Sequence, residues 1–300
     1  MIDVQRLRTL REVARSGSFN KAAAALLLTP SAVSQQIAAL ERTLGAQVVE
    51  RSTRGVSLTE PGRLLVEAAE AISAELSHAR EQIDRLATGR TKVTVATFTS
   101  GGHRLLPPVL TRFVAEHPEV ELTVLQKEPE HSLPLVREGR ADIALAYHFD
   151  GPLPVRPGDR SGLDWVPLMD DPMSAVLPVG HRLAGRASLD LAELVRERWV
   201  MGCMKAQAFM HRYAELAGSE LRVSAATTDF FFAQTLVAAG VGVSLVPRIA
   251  LDPTVSGVVV IPIDPPRPAR YIGVATASRH RARPQPHVEA LLSALVGSVP

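Results

Sequence analysis

A single cysteine in 300 residues excludes an internal disulfide framework and any cysteine-rich zinc site. Aromatic residues make up only 4%, so Leu, Val and Ala must supply most of the core. Charge of one sign is also scarce. Lys and Arg number 33 against 31 Asp and Glu, a net +2 that, taken whole, does not announce a nucleic-acid or membrane-surface binder. The opening MIDVQRLRTLREVARSG lacks the apolar stretch of a secretory signal, so none is expected. The longest apolar runs, such as Ala22–Leu28, are too short to span a bilayer. A cytoplasmic protein with no membrane partner is the expectation. Lysine is rare, at Lys21, Lys92, Lys127 and Lys205 only; with the many Ala and Pro residues, this suggests a GC-rich bacterial genome.

Catalytic signatures are missing too. The chain has no H-E-x-x-H, no phosphate loop ending in Gly-Lys-Ser/Thr and no G-x-S-x-G elbow. Gly240-Val241-Gly242-Val243-Ser244 lacks the third glycine of a nucleotide loop and falls within an expected strand. The nine histidines are scattered, with no pair at metal-ligand spacing on one helix, and His280 reads as part of a solvated edge. The expectation is a protein that is not an enzyme and holds no cofactor or metal. An exported binding protein would need a signal, and a DNA binder indifferent to ligands would have a filled cleft.

What is present divides into three parts. Residues 1–58 read as short helices and a hairpin. Leu7, Leu10, Val13 and Ala14 share a helical face that ends at Gly17-Ser18. Ser18 is placed to cap a second helix, Phe19–Leu27, and Thr29-Pro30 begins a third, which Gly45 stops. Val48–Glu50 and Val56–Leu58 are short strands. Residues 59–90 form one long helix with Leu65, Ala68, Ile72, Leu76, Ala79, Ile83 and Leu86 in a narrow seam, the pattern of a partner-helix contact. Leu65, Ile72, Leu76 and Ile83 are the dimerisation candidates.

Residues 91–300 alternate strand and helix. Strands are expected at 92–98, 120–126 and 142–148, with helices at 103–116 and 133–138 between them. The stretch 151–162, rich in Pro and Gly, breaks the pattern. A second set has strands near 165–169, 173–179, 221–225 and 241–246 and helices near 189–195, 205–217 and 230–239. A strand at 271–277 and a helix near 287–296 return to the first set. Two α/β lobes joined by two crossings describe a hinged ligand-binding domain, lobe I about 91–162 and 268–300, lobe II about 163–267.

On a wheel of the third helix, Val33, Ile37, Leu40 and Leu44 lie on one side, and Ser31, Ser34, Gln35 and Ala38 on the other. The second side lacks bulky charge in its first turns, which suits insertion into a major groove. A plain three-helix bundle fits the wheel about as well. The wider pattern is more specific. Ala14-Arg15-Ser16-Gly17-Ser18-Phe19, Ala22-Ala23 with Leu26, and Thr29-Pro30-Ser31-Ala32-Val33-Ser34-Gln35-Gln36-Ile37 lead it. Leu40-Glu41, Leu44-Gly45, Arg51, Arg54, Leu58-Thr59 and Gly62 continue it. Through these residues the chain resembles the LysR-type transcriptional regulators.

The resemblance implies a winged helix-turn-helix, a dimerising linker helix and a two-lobed effector domain like the periplasmic binding proteins. It implies double-stranded promoter DNA as partner, a homodimer or homotetramer, and RNA polymerase as a further partner of an activator. The DNA-contacting positions it implies are Thr29, Pro30, Ser31, Ser34 and Gln35, with Arg51 and Arg54 in the wing. Ser34 and Gln35 suit base edges, and Thr29 and Ser31 suit phosphate at a helix start. The family often has Gln-Pro where this chain has Pro30-Ser31, which removes one base contact. Its usual Phe is Val49 here, a core change.

For the effector, Thr99-Ser100-Gly101-Gly102 follows a strand and precedes a helix, a corner able to bind an anion. The same residues would also cap a helix; the resemblance favours a ligand site. Across the cleft, Met201-Gly202-Cys203, Thr228 (with Thr227) and Val246 occupy similar positions. A small-molecule co-inducer, acidic for preference, fits hydroxyls and N–H groups. Cys203 has no resolving cysteine and reads as a pocket-lining thiol.

Charge distribution sharpens the division. Residues 1–63 hold nine Lys and Arg against five acids, 64–90 three against five, and 91–300 twenty-one of each. The slight whole-chain excess is therefore a basic head, an acidic helix and a neutral remainder.

Overall fold

The computed structural model describes residues 2–52, 55–88, 91–149, 151, 162–216, 218–251, 255–265, 267–278 and 285–298. Helix α1 (Val4–Ser16) starts where the Asp3 carboxylate accepts the Gln5 N–H and stops at Gly17, at φ 61°. Helix α2 (Phe19–Leu26) follows. Ser18 makes no side-chain cap bond to it, contrary to the sequence expectation. Its carbonyl instead accepts the Ala22 N–H and the Ser16 hydroxyl. Leu27, 93% exposed and left-handed at φ 56°, turns the chain through a 105° bend into α3 (Pro30–Leu44). That angle lies within the range of a helix-turn-helix. Thr29 Oγ1 accepts the Ala32 N–H and Pro30 fills the first turn, as the sequence predicts.

Val33, Ile37 and Leu40 of α3 are buried against Leu10, Val13, Ala22 and Ala23. Strand β1 (Val49–Ser52) pairs antiparallel with β2 (Gly55–Leu58), and Val49 joins the same core. Helix α4 (Glu60–Thr88) then runs 29 residues, about 44 Å long. Thr59 caps it through the Gly62 N–H and donates its hydroxyl to the Gln47 carbonyl. Gly62 lets helix and wing touch: a Cβ there would lie 2.0 Å from the Val48 carbonyl oxygen.

The remaining strands and helices are β3 (Thr91–Thr97), α5 (Thr99–Arg104), α6 (Leu106–Glu116), β4 (Val120–Gln126), α7 (Pro129–Arg137) and β5 (Ile143–His148), then β6 (Leu163–Pro178), β7 (Arg198–Met201), α8 (Met204–Leu216), β8 (Arg222–Ala226), α9 (Phe230–Ala238), β9 (Ser244–Pro247), β10 (Val258–Pro262), β11 (Ala269–Ala277) and α10 (Pro286–Gly297). Strand β3 lies parallel to both β4 and β5, the expected βαβαβ unit. Strands β11 and β6 extend that sheet antiparallel, while β9 and β10 flank the far half of β6.

Several expectations need correction. Two strands near 165–169 and 173–179 are one 16-residue strand, β6. Pro172 sits where β6 changes partners: residues 163–172 pair with β11, and 173–178 with β9 and β10. The first crossing between lobes therefore falls at Pro172–Met173 rather than near residue 162. The return lies beside it, where Met173 N–H donates to the Pro268 carbonyl. The helix near 189–195 is a 3-10 turn, Leu191–Leu194, held by an Asp190–Glu193 capping box. The strand at 241–246 begins only at Ser244, because Gly240, at φ 78°, and Val241 complete the end of α9. The nucleotide-loop look-alike is thus a helix end running into a strand.

Each lobe has its own core. In lobe I, Val93, Val95, Phe113, Ile143, Leu145 and Leu291 are buried together. In lobe II, Val176, Trp199, Met210, Val237 and Leu245 are. Among the described residues no single helix is long and apolar enough to cross a membrane.

Candidate nucleic-acid interface and ligand cleft

The outer face of α3 is open. Pro30, Ser31, Gln35 and Ala38 are exposed and Ser34 is half-buried, while Gln36 turns inward to accept the Thr9 hydroxyl. The Thr29 and Ser31 hydroxyls lie 2.9 Å apart at the helix start. Arg51 of β1 donates to Ser34 Oγ at 3.2 Å, and its guanidinium lies 4.4 Å over the Phe19 ring. The wing cation and the α3 hydroxyl therefore form one surface, held by a ring from α2. Arg54 lies outside the described residues.

Along α4, Leu65 departs from the expected seam. It packs with Val66 against the core of the helix-turn-helix, because the first turns of α4 close that core. Further along, Ile72 and Leu76 line a groove of about 230 Å³ with Val4, Leu7, Arg8 and Arg11 of α1. Leu76 and Ile83 are 61% and 64% exposed.

Between the lobes, the buried centre is Arg270, 1% exposed. It stands opposite Asp171 in the β6–β11 ladder, at the point where β6 passes from one sheet to the other. Its Nε and Nη2 donate to Asp171 Oδ2 at 3.1 and 2.6 Å. Nη2 also donates to Ser100 Oγ at 3.0 Å. The other Asp171 oxygen accepts the Ile249 N–H at 3.1 Å. Three rings surround the guanidinium: Phe98 and Tyr147 from lobe I and Phe230 from lobe II, at 5.1, 4.6 and 5.3 Å. A paired, ring-flanked guanidinium can remain charged away from water.

A second polar string adjoins it. Gln126 Nε2 donates to Thr99 Oγ1 at 2.9 Å, and the Tyr147 hydroxyl donates to Glu128 Oε2 at 2.7 Å. The Cys203 thiol packs in the same buried cluster as Tyr147, and its Sγ accepts the Ala206 N–H at the start of α8. Burial pushes the Cys203 thiol up and the Tyr147 hydroxyl well up. Burial also raises the Glu128 carboxyl above its ordinary 4.5, against the opposing Tyr147 hydrogen bond and Arg270 charge.

The sequence-predicted effector residues separate on this geometry. Thr99, Ser100 and Cys203 meet around Tyr147 and Arg270. Thr99–Gly102 lies within α5 itself rather than in a corner before a later helix. Gly101 and Gly202 serve close approach, since a Cβ would fall 2.8 Å from the Phe98 ring and 1.9 Å from the Phe230 ring. Met201 and Val246 belong to the lobe II core, on strands β7 and β9 whose residues are buried on both faces. Thr228 is exposed, two residues before Phe230. Sequence reasoning missed Arg270, Asp171, Glu128, Tyr147 and Phe230. The one available signal was an arginine and an aspartate inside otherwise apolar strand patterns.

Comparison with known proteins agrees with this architecture. Residues 4–63 match the model of the "Bacterial regulatory helix-turn-helix protein, lysR family", and residues 87–299 match the "LysR substrate binding domain". The chain is 33% identical over 292 residues to a "Probable hydrogen peroxide-inducible genes activator" of Mycobacterium avium, covering 91% of this chain and 87% of that one. It is 31% identical over 291 residues to the "Transcriptional dual regulator GltC" of Bacillus subtilis, covering 94% and 93%. Among solved structures, an OxyR mutant of Corynebacterium glutamicum superposes with TM-score 0.57 at 26% identity, covering 99% of this chain and 91% of that one.

Two outcomes follow from the buried cluster. Asp171→Ala leaves Arg270 uncompensated and should cost about 3–5 kcal/mol in urea denaturation, whereas Asp171→Leu with Arg270→Met should recover most of that loss. Equal losses in both variants would contradict the pairing. Because the folded chain holds the Glu128 proton more tightly than the unfolded chain, its ionisation weakens the fold as pH rises from about 4.5 through the higher folded value. Glu128→Gln should match wild type below pH 4.5 and become the more stable protein toward neutrality. Midpoints at acid and neutral pH that shift in parallel would refute this.

Proposed function

The chain belongs to the LysR family of bacterial transcriptional regulators, and from that premise we propose how its residues divide the work. It is a DNA-binding regulator with a winged helix-turn-helix, a long helix and a two-lobed α/β substrate-binding domain. We propose functional segments of 1–58, 59–90 and 91–300. Ser34 and Gln35 read base edges in the major groove, while Thr29 and Ser31, next to Pro30, hold phosphate at the start of α3. Arg51 and Arg54 reach phosphate or a narrow minor groove from the wing. The Arg51–Ser34 hydrogen bond carries this reading, since it puts a cation on the same face as the exposed Gln35.

The effector is a small molecule seated between the lobes near Thr99, Ser100, Cys203 and Thr228. Gly101 and Gly202 allow the rings to approach, and Met201 and Val246 support the site from the core. An acidic or hydroxylated ligand suits Arg270. Binding would bias the angle at the Pro172–Met173 crossing, and so the spacing of DNA-binding heads in a homodimer or homotetramer. RNA polymerase is the further partner if the changed DNA bend activates transcription. A promoter-bound protein works in the cytoplasm. The peroxide named for the mycobacterial relative is a second reading. It is weaker here, because Cys203 is the sole cysteine and its buried thiol is pushed toward the protonated form.

Selecting bound DNA with the purified protein, then screening metabolites for altered mobility, tests the reading directly; no sequence-specific site would end it. On the selected operator, Gln35→Ala should relax base choice by roughly 1–3 kcal/mol, while Arg51→Ala should weaken specific and scrambled DNA alike. An unchanged specificity ratio for Gln35→Ala removes that assignment. Leu76→Lys should shift light-scattering mass toward monomer and weaken operator binding, if the exposed stripe of α4 is a dimer seam.

A further inference from the structure

The histidines have no metal-ligand spacing along the sequence, yet the fold gathers His117, Glu119 and His287 in lobe I. His117 ends α6, where its N–H donates to the Phe113 carbonyl and its own carbonyl accepts the Val120 N–H. Its ring packs 4.8 Å from the buried Phe113 ring, which fixes its orientation. His287 follows Pro286 in the first turn of α10. The two imidazoles meet edge to face at 5.1 Å. Glu119 reaches both: Oε1 is 3.6 Å from His117 Nδ1 and 3.8 Å from His287 Nδ1.

Those separations are long for N–H···O hydrogen bonds, which run about 2.7–3.2 Å. They are close to the distance between neighbouring ligands of one tetrahedral ion, roughly 3.3–3.5 Å for metal bonds near 2.0–2.2 Å. One ligand atom from each residue lies within 4.8 Å of the others, so small side-chain rotations complete a three-ligand set. Both histidines are half-buried and Glu119 is exposed, which leaves a side open for water.

We propose that His117, Glu119 and His287 bind one divalent transition ion of the zinc class, with water as a further ligand. Two imidazoles and one carboxylate favour Zn²⁺, Co²⁺ or Ni²⁺ over Mg²⁺ and Ca²⁺, which prefer all-oxygen shells. The ion pins the start of α10 to the end of α6, beside the core contacts that Phe113, Val288 and Leu291 already make. It is a brace on lobe I and adds nothing to the ligand cleft itself.

Calorimetric titration of the full chain with ZnCl2, and with CoCl2 followed by visible absorption, tests the proposal. The expected result is one ion per chain, cobalt d–d bands of an imidazole-ligated centre, and a higher thermal midpoint with Zn²⁺. His117→Asn, Glu119→Gln and His287→Gln should each lower affinity by about tenfold or more. Should His117→Asn lose its circular dichroism spectrum, the other two variants carry the test. Absence of saturable binding by the wild type, or unchanged affinity in Glu119→Gln and His287→Gln, overturns the site.

Discussion

The ligand-sensing half of the molecule is arranged around one desolvated charge pair. Taking a carboxylate and a guanidinium out of water costs several kcal/mol each, so such a pair persists only where every remaining lone pair and proton has a partner. Asp171 and Arg270 draw their partners from both lobes: Ser100 of α5 on one side, the Ile249 N–H on the other, and three aromatic faces around the cation. The pair sits at adjacent crossings of the chain between sheets. Whatever changes the relation of the lobes must work against these bonds.

The DNA-binding head uses a different economy of parts. Its core is small and aliphatic, and the only ring near its working face, Phe19, serves to seat Arg51. Small hydroxyl and amide side chains leave the outer face of α3 open, and the wing sets the Arg51 cation beside it. Gly62 lets α4 spring directly from the wing without a gap. Helix α4 is therefore joined to the head through packed contact, made by Leu65 and Val66, rather than through a loose linker.

The head was legible in the sequence because its signals are local. A cap, a proline, a left-handed glycine and a helical stripe all act within a few residues, and Thr29, Pro30 and Gly45 behaved as their chemistry dictates. The α/β order was legible for the same reason. Long-range partnerships were not. Nothing near Arg270 announces Asp171, and Tyr147 reads as an ordinary strand aromatic until Glu128 is brought to its hydroxyl. The continuity of β6 was hidden because it holds Pro172, a residue usually kept out of strand interiors and tolerated here where the strand changes neighbours. The Val258–Ile261 run was a plain strand signal, obscured by the proline-rich segment after it.

Strand β6 has a consequence for how this half of the protein can be inherited and taken apart. One continuous backbone supplies a member to both sheets, residues 163–172 to the ladder of lobe I and 173–178 to that of lobe II. Excising lobe II as a module would therefore cut an unbroken strand at Pro172–Met173, beside the return of the chain at Pro268. The two lobes are thus joined through the middle of a strand rather than through a loose linker, and any exchange of one lobe has to splice within that strand.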